Sequence, residues 1–340
     1  MNLPNENNNK IKITIRIVFL KKKKMIKTGV IGAGHLGSIH LKLLNKSDYF
    51  KVIGFFDINK NISLEKNDFV FFKKMEDLID LVDVVFICCN TPNHYKIAKI
   101  CINKSKHIFI EKPITSTVEQ AIDLVNFSDI KKIKGQVGHV ERFNSAFTCL
   151  NDTIKNPKFI ECHRLSEFNP RGNDVSVVLD LMIHDIDIVL SVVKSKPISV
   201  SANGVCVISE TPDICNARVE FENGCVANFT ASRISLKNMR KTRFFQSNAY
   251  ISIDFLEKKT EVVKIKDANN VEDEYAMIIE NSSGNKKQIF YNNPEIKESN
   301  AIIEEHNAFA KSILEDKVPL ISLKDGLDAL RLANEILNKI

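Results

Sequence analysis

From Met25 to about residue 140, short apolar runs alternate with segments of helical periodicity. Apolar runs that are separated by helices are typical of a parallel sheet covered by helices on both faces. We therefore predict a doubly wound α/β domain over residues 25–140. Its predicted strands are 27–31, 51–57, 69–72, 83–89, 106–110 and 136–140, and its predicted helices are 37–46, 75–81, 94–104 and 117–128.

After residue 140 most of the pattern has the alternation of strands that are half buried. The predicted strands are 158–168, 198–209, 214–221, 225–234, 242–255 and 260–266, and the predicted helices lie near 144–155, 174–193, 298–315 and 323–338. Because 340 residues are too many for one ordinary core, we predict a second, largely antiparallel α+β domain over residues 141–340. We expect the last two helices to pack back on the first domain.

The net charge of +6 is confined to the first 24 residues, which hold seven basic residues and one acidic residue. The rest of the chain is neutral overall, so its charge does not favour nucleic-acid binding. We predict that residues 1–24 form a disordered basic extension. No apolar run approaches the length of about 20 residues that a membrane-spanning helix needs, so we predict a cytoplasmic protein without a membrane role. The eight cysteines have no C-x-x-C spacing, which argues against a zinc site.

The strongest local signal is the sequence Gly-Ala-Gly-His-Leu-Gly at residues 32–37, directly after the first predicted strand. This spacing is that of the Rossmann dinucleotide fingerprint, in which the helix N-terminus binds a pyrophosphate. The second strand ends at Asp57, whose carboxylate would bind ribose hydroxyls and repel a 2′-phosphate, so NAD is favoured over NADP. The alternative is a glycine turn that binds no ligand. The predicted cofactor contacts in this region are Gly32, Gly34, His35, Leu36, Gly37 and Asp57.

Two further motifs follow predicted strands and therefore lie at the same edge of the sheet. Thr91, Pro92, Asn93 and His94 follow one strand, where we predict cofactor contact, although Thr91 or Asn93 is equally suited to capping the next helix. Glu111, Lys112 and Pro113 follow the next strand, which directs the Lys112 ammonium towards the cleft. A lysine at such a position is by itself usually only solvated.

A third motif places Asp180 and His184 four residues apart within a predicted helix. On an α-helix this spacing puts both side chains on one face, where a carboxylate orients an imidazole and raises its basicity. Such a pair suits general base catalysis, but by spacing alone it is more often a helix-surface interaction. Asp185 and Asp187 do not add a metal site, because no second histidine, cysteine or glutamate lies nearby in sequence.

Together these motifs resemble the Gfo/Idh/MocA family of sugar and cyclitol dehydrogenases. The resemblance extends over nearly the whole chain from Met25 and rests on the glycine turn, Thr91–His94, Glu111–Pro113 and Asp180–His184, in the family's order. It implies that Lys112, Asp180 and His184 carry the active site, and that Glu111 and Lys112 join the cofactor contacts. It also implies a second domain with a large open sheet, through which family members form homodimers or homotetramers.

The segments 138–144 and 178–187 are most similar to the nucleotide-sugar branch of the family, the UDP-N-acetylglucosamine 3-dehydrogenases, which precede a partner aminotransferase. One departure is Ser145, where that branch usually has proline. A cleft lined by arginines suits a diphosphate, although each arginine taken alone is as readily explained by a surface ion pair. The candidate substrate contacts are Arg142, Arg164, Arg171 and Arg233, with Lys237 and Arg240 in the same cleft.

We therefore expect an NAD-dependent dehydrogenase that oxidises a ring hydroxyl of a nucleotide-linked sugar. In this hypothesis His184 is the base, Lys112 polarises the hydroxyl, and Asp180 orients His184 or binds a neighbouring hydroxyl. One alternative is a dehydrogenase of a free sugar or cyclitol such as myo-inositol. Another is a non-catalytic regulator that binds NAD, against which the presence of all three site residues argues.

Overall fold

A computed structural model of the protein describes residues 25–60, 69–150, 153–169, 175–268 and 277–340. The predicted extension at 1–24 and the candidate substrate contact Arg171 lie outside the described residues. Within the described ranges, no helix is both long enough and apolar enough to span a membrane. The chain forms two sheets, one parallel and one mostly antiparallel, so the predicted fold class is confirmed.

The first sheet has five parallel strands in the order β2-β1-β3-β4-β5. Its strands are β1 Ile26–Ile31, β2 Phe50–Phe56, β3 Val84–Ile87, β4 His107–Glu111 and β5 Gly135–Gly138. Its helices are α1 His35–Leu44, α2 Met75–Leu81, α3 His94–Asn103 and α4 Val118–Ile130. The predicted strand at 69–72 is reduced to a single bridge between Phe55 and Phe71. The strand order reverses next to β1, which places a ligand crevice at the carboxyl ends of β1 and β3.

The second sheet has nine strands in the order β13-β14-β12-β11-β10-β6-β9-β8-β7, with β6 and β9 as its parallel pair. Its strands are β6 Phe159–Leu165, β7 Pro197–Val205, β8 Ile214–Phe221, β9 Val226–Ser232, β10 Met239–Phe245, β11 Ala249–Asp254, β12 Lys259–Asp267, β13 Met277–Glu280 and β14 Lys286–Asn292. The single strand predicted at 242–255 is two strands, because the chain reverses after Phe245. The hairpin of β13 and β14 was not predicted.

The part of the chain that the structure describes contains four more α-helices: α5 Ser145–Thr148, α6 Ile183–Val193, α7 Ala301–Leu314 and α8 Leu323–Leu337. Helix α6 packs on one face of the nine-stranded sheet, where alternate strand residues such as Ile160, Phe229 and Phe244 are fully buried. Helix α8 packs against both α4 and α6 and therefore joins the two sheets. Its first turn is fixed by reciprocal hydrogen bonds between Ser322 and Asp325, and Val137 of β5 donates its N–H to the Ile321 carbonyl.

Candidate active site

The glycine turn between β1 and α1 leaves room for a ligand in front of the helix. Gly32 has a φ of +86°, and a β-carbon at Gly37 would clash with the Gly32 carbonyl oxygen, so both positions need glycine for the turn itself. A β-carbon at Gly34 would meet no atom within 4 Å. The N-cap of α1 has no side-chain hydrogen bond, which leaves its first N–H groups available for phosphate oxygens. The turn therefore fits a pyrophosphate.

Asp57 lies beside this turn at the end of β2. Its Oδ2 accepts a hydrogen bond from the Ala33 N–H at 2.6 Å, and its Oδ1 accepts one from the Asn59 N–H at 2.8 Å. The side chain is half-buried, so part of the carboxylate still faces the crevice. A carboxylate at this place is suited to accepting hydrogen bonds from ribose hydroxyls.

The segment after β3 forms a short 3-10 turn over Thr91–Asn93, and the exposed side chains of Pro92 and Asn93 lie at the rim of the crevice. His94 is instead buried. Its Nδ1 lies 3.0 Å from the Pro113 carbonyl oxygen and its Nε2 lies 2.9 Å from that of Cys89. Burial lowers the pKa of His94. This imidazole therefore ties together the segments that follow β3 and β4.

Lys112 connects the two sheets at the centre of the site. Its Nζ donates to the Asp180 carbonyl oxygen at 2.8 Å and to Asp180 Oδ1 at 3.1 Å. The lysine side chain is mostly buried, with 19% exposed, whereas that of Asp180 is 48% exposed. The ammonium is thus held at the carboxyl edge of the parallel sheet by a residue from the segment that precedes α6.

The pairing expected from helical spacing is not the one found. Residues Val178–Met182 form a π-helical segment, and the regular helix α6 begins only at Ile183. The wider π turn disrupts the i, i+4 alignment on which the prediction rested. The Asp180 carboxylate contacts Lys112, and His184 Nδ1 is buried without a hydrogen-bond partner among the described residues.

His184 is held in its neutral form by its surroundings. Burial lowers its pKa well below the usual range, and the positive charges of Lys112, Arg164 and Arg240 lower it further. The ring of His139, which is also buried, lies 6.5 Å from that of His184 in an edge-to-face arrangement. A neutral imidazole beside a lysine ammonium is an arrangement in which a proton can be accepted while a developing negative charge is stabilised.

The predicted substrate arginines that the structure describes are bonded to internal groups. Arg142 Nε donates to Asp187 at 2.8 Å, with Asp325 also in contact. Arg233 Nη1 donates to the Val175 carbonyl at 2.8 Å, and the guanidinium also contacts residues 211–213.

Arg164 is 3% exposed and forms hydrogen bonds with Glu141 and with both carboxylate oxygens of Asp185. Arg240 differs from the other arginines of this cluster. It lies opposite Arg164 in the pairing of β10 with β6. Its guanidinium contacts Glu141 at 3.4 Å, and 49% of its side chain is exposed. Of these groups, Arg240 is the one placed to meet an anion from solvent.

A buried chain of polar side chains next to Lys112 had no signal in the sequence. Glu111, predicted as a cofactor contact, is 8% exposed and lies 2.7 Å from His40 Nε2, while His40 Nδ1 lies 2.8 Å from His306 Nε2. The three residues come from β4, α1 and α7. Because 195 or more residues separate His306 from the other two, no local pattern connects them.

The parallel sheet, the glycine turn and the charged residues at the sheet edge define a dehydrogenase that binds a dinucleotide. Residues 26–139 match the model of the oxidoreductase family with an NAD-binding Rossmann fold, and residues 133–252 match the GFO/IDH/MocA C-terminal domain. The chain belongs to the GFO/IDH/MocA family. It is an oxidoreductase that acts on hydroxyl groups with NAD as its cofactor, as the sequence predicted.

Two kinds of relatives are found. UDP-N-acetylglucosamine 3-dehydrogenase from Acidithiobacillus ferrooxidans is 33% identical over 235 residues, which cover 68% of this chain and 74% of that protein. Its solved structure superimposes with a TM-score of 0.83 at 26% identity, over 93% of this chain and 98% of the other. Myo-inositol 2-dehydrogenase from Thermotoga maritima is 24% identical and covers 90% of this chain and 94% of that protein.

Proposed function

We propose that the protein oxidises a ring hydroxyl of a nucleotide-linked sugar, with the C3 hydroxyl of UDP-N-acetylglucosamine as the substrate to test first. The observation that carries the proposal is the contact of Lys112 with Asp180 beside the neutral His184, at the edge of the sheet where a dinucleotide fits. The 33% identity to a UDP-N-acetylglucosamine 3-dehydrogenase supports this substrate.

In this proposal His184 accepts the proton of the ring hydroxyl, because its imidazole stays neutral. Lys112 stabilises the negative charge that develops on the oxygen as the proton leaves. Asp180 holds the lysine ammonium in place, which replaces the expected role of orienting His184. The chemistry that NAD supplies when bound is acceptance of a hydride from the carbon.

The residues proposed to hold NAD are those at the carboxyl edge of β1–β4. The N–H groups at the start of α1, at His35 and Leu36, bind the pyrophosphate in front of Gly34, and Asp57 accepts the ribose hydroxyls. The segment Thr91–Asn93 forms the rim of the same crevice. Lys112 completes this set, whereas the inward orientation of Glu111 and His94 gives them a supporting role.

The preference for a nucleotide sugar over a free sugar rests on Arg240. Its half-exposed guanidinium lowers the pKa of the buried His184 through its charge, and it shares the carboxylate of Glu141 with Arg164. Such a group suits a bidentate contact with a phosphate. A free cyclitol has no anion for it to bind, so oxidation of myo-inositol is the second candidate function. The similarity to myo-inositol 2-dehydrogenase supports this second candidate.

The test is formation of reduced cofactor by the purified protein with NAD and UDP-N-acetylglucosamine, in the presence of a carbonyl trap or an aminotransferase, because such oxidations are uphill. Lys112→Met should lower turnover by about 100-fold or more, because the alkoxide loses its cation. NADH binding should change little, because the contacts to the pyrophosphate and the ribose remain. The matched control is Lys134→Met, which also breaks the ion pair between a mostly buried lysine and an aspartate, Asp316. Lys134 lies at the amino end of β5, away from the carboxyl edge of the sheet.

Retention of more than about a tenth of wild-type turnover by Lys112→Met would contradict the role of Lys112. Turnover of myo-inositol without turnover of the nucleotide sugar would select the second candidate. Binding of NAD without turnover of any sugar would favour a non-catalytic regulator that binds NAD.

We further propose a cytoplasmic homodimer or homotetramer that passes its product to an aminotransferase. The supporting feature is the outer face of the nine-stranded sheet, where the half-buried rings of Phe159, Phe245 and Tyr250 pack together. The division of the chain into a cofactor domain at 25–140 and a substrate and oligomerisation domain at 141–340 belongs to the same proposal. The molecular mass of the protein in solution, measured by light scattering, should be two or four times that of one chain.

A further inference from the structure

The buried residues Glu111, His40 and His306 form a continuous hydrogen-bonded chain, called the histidine chain below. It connects the last residue of β4 with α1 and with α7, through contacts of 2.7 Å and 2.8 Å. Both histidines are 1% exposed, and the rings of Phe86 and Phe109 pack against His40 at 5.8 and 5.3 Å. None of these groups takes part in the proposed chemistry.

The contacts dictate which atoms carry protons. Oε2 of Glu111 accepts the N–H of Lys112 at 3.2 Å, and Oε1 faces His40 Nε2. When Oε1 also accepts, His40 donates from Nε2, so His40 Nδ1 must accept from Nε2–H of His306. All donors of the histidine chain then point towards one carboxylate, which is the arrangement that stabilises its negative charge.

Two other acidic groups close to Glu111 are held in their protonated forms. Glu305 on α7 is 1% exposed, and burial together with the charge of Glu111 raises its pKa well above the usual range. Cys88, after β3, has its pKa raised for the same two reasons. Gly138 on β5 leaves the space that the carboxylate fills, since a β-carbon there would lie 2.9 Å from both of its oxygens. Burial and the contact with His40 also lower the pKa of His306 well below its usual range.

We propose that the histidine chain is a positioning device for Lys112, in which His306 on α7 orients His40, His40 orients Glu111, and Glu111 holds the backbone N–H of Lys112. The consequence is that α7 determines where the strand end carrying the ammonium lies, although no residue of α7 belongs to the proposed set of catalytic residues. His40 and His306 are therefore positioning residues, and their importance for turnover rests on the proposed function of Lys112.

The experiment compares three variants of the full-length protein on the same helix. His306→Leu removes the donor and leaves His40 Nδ1 without a partner, whereas His306→Gln keeps an N–H that can reach it. Phe309→Leu is the matched packing control, because Phe309 is fully buried in the same aromatic cluster but lies outside the histidine chain. The first readout is hydrogen–deuterium exchange of the Lys112 amide, and the second is kcat together with the affinity for NADH.

In His306→Leu the Lys112 amide should exchange about tenfold faster or more, because its acceptor is no longer fixed. Its kcat should fall by about 10- to 100-fold with NADH affinity unchanged, since the ammonium is displaced while the cofactor turn is intact. His306→Gln should restore both to within about threefold of the wild type, and Phe309→Leu should lower the melting temperature without changing either. If the leucine variant does not fold, His306→Met takes its place, because its flexible side chain fills irregular gaps.

Unchanged exchange in a folded His306→Leu protein would overturn the proposal, as would an equal increase in Phe309→Leu. Faster exchange with unchanged kcat would overturn the link to catalysis. If the wild type turns over neither UDP-N-acetylglucosamine nor myo-inositol, the proposed function fails, while the exchange measurement still decides whether the histidine chain holds Lys112.

Discussion

Arg164→Met removes the central cation from a buried charge cluster next to His184. Arg164 donates three hydrogen bonds, at 2.9, 2.9 and 3.1 Å, to Glu141 and Asp185. The side chains of the arginine and of both carboxylates are no more than 7% exposed. In the variant two carboxylates remain in the interior, and Arg240, which contacts Glu141, is half in solvent. The substitution therefore tests whether Arg164 is structural or, as the sequence suggested, a substrate contact.

The expected cost follows from this burial. Removing one partner of a buried ion pair lowers the free energy of unfolding by about 3–5 kcal/mol, because the remaining charge is uncompensated. With an unfolding entropy of about 2.1 cal/mol/K per residue, a chain of this length loses about 1.4 °C of melting temperature per kcal/mol. Arg164→Met should therefore lower the melting temperature by about 4–7 °C, provided that the two domains unfold together.

The assay is thermal unfolding followed by far-ultraviolet circular dichroism, because the chain contains no tryptophan. Arg218→Met is the matched control: it removes an arginine from a strand of the same sheet, but one whose pair with Glu220 is about half exposed. It should change stability by less than about 1 kcal/mol. Adding Asp185→Asn and Glu141→Gln to Arg164→Met should recover most of the loss, since the stranded charges disappear. A melting temperature equal to that of Arg218→Met, with a raised KM for the sugar, would refute the argument and make Arg164 a substrate contact.

Three further predictions concern the cofactor turn and acid stability. Gly37→Ala should unfold the turn and weaken NAD binding, because the added β-carbon would clash with the Gly32 carbonyl. Gly34→Ala should weaken NAD binding but leave the melting temperature of the free protein unchanged, because its β-carbon meets no protein atom. Calorimetry measures both the melting temperature and the affinity for NAD. Asp57→Ala should raise the KM for NAD by about tenfold and lower the preference for NAD over NADP in initial-rate assays. Because burial lowers the pKa of five histidines, the unfolded state binds protons that the folded state does not. Stability should therefore fall as pH drops below about 6.5, by about 1.4 kcal/mol per pH unit for each histidine until the pH reaches its folded-state pKa. Urea unfolding at several pH values would show no such slope if these histidines titrate normally. These histidines are His94, His107, His139, His184 and His306.

Local patterns were sufficient to predict the parallel sheet and the residues at its edge. The glycine spacing at 32–37 and the run of apolar strands require only neighbouring residues, and parallel strands necessarily bring their carboxyl ends to one edge. Gly34, Asp57 and Lys112 were therefore predicted to lie in one crevice, and they do lie at that edge. The turn between β10 and β11 was missed, because the residues on either side of it have similar strand periodicity.

Only the tertiary structure decided which charges pair. The spacing of Asp180 and His184 indicated a helical pair. Instead, the π-helical turn and the approach of β4 bring the Asp180 carboxylate into contact with Lys112. An arginine in the sequence does not reveal whether a buried carboxylate will neutralise it, and Arg164 is neutralised by two. The sequence by itself determined the fold class, the family and the cofactor edge, because these depend on local periodicity and spacing. Pairing between residues far apart in the chain depends on how the two sheets meet, and that is set by packing.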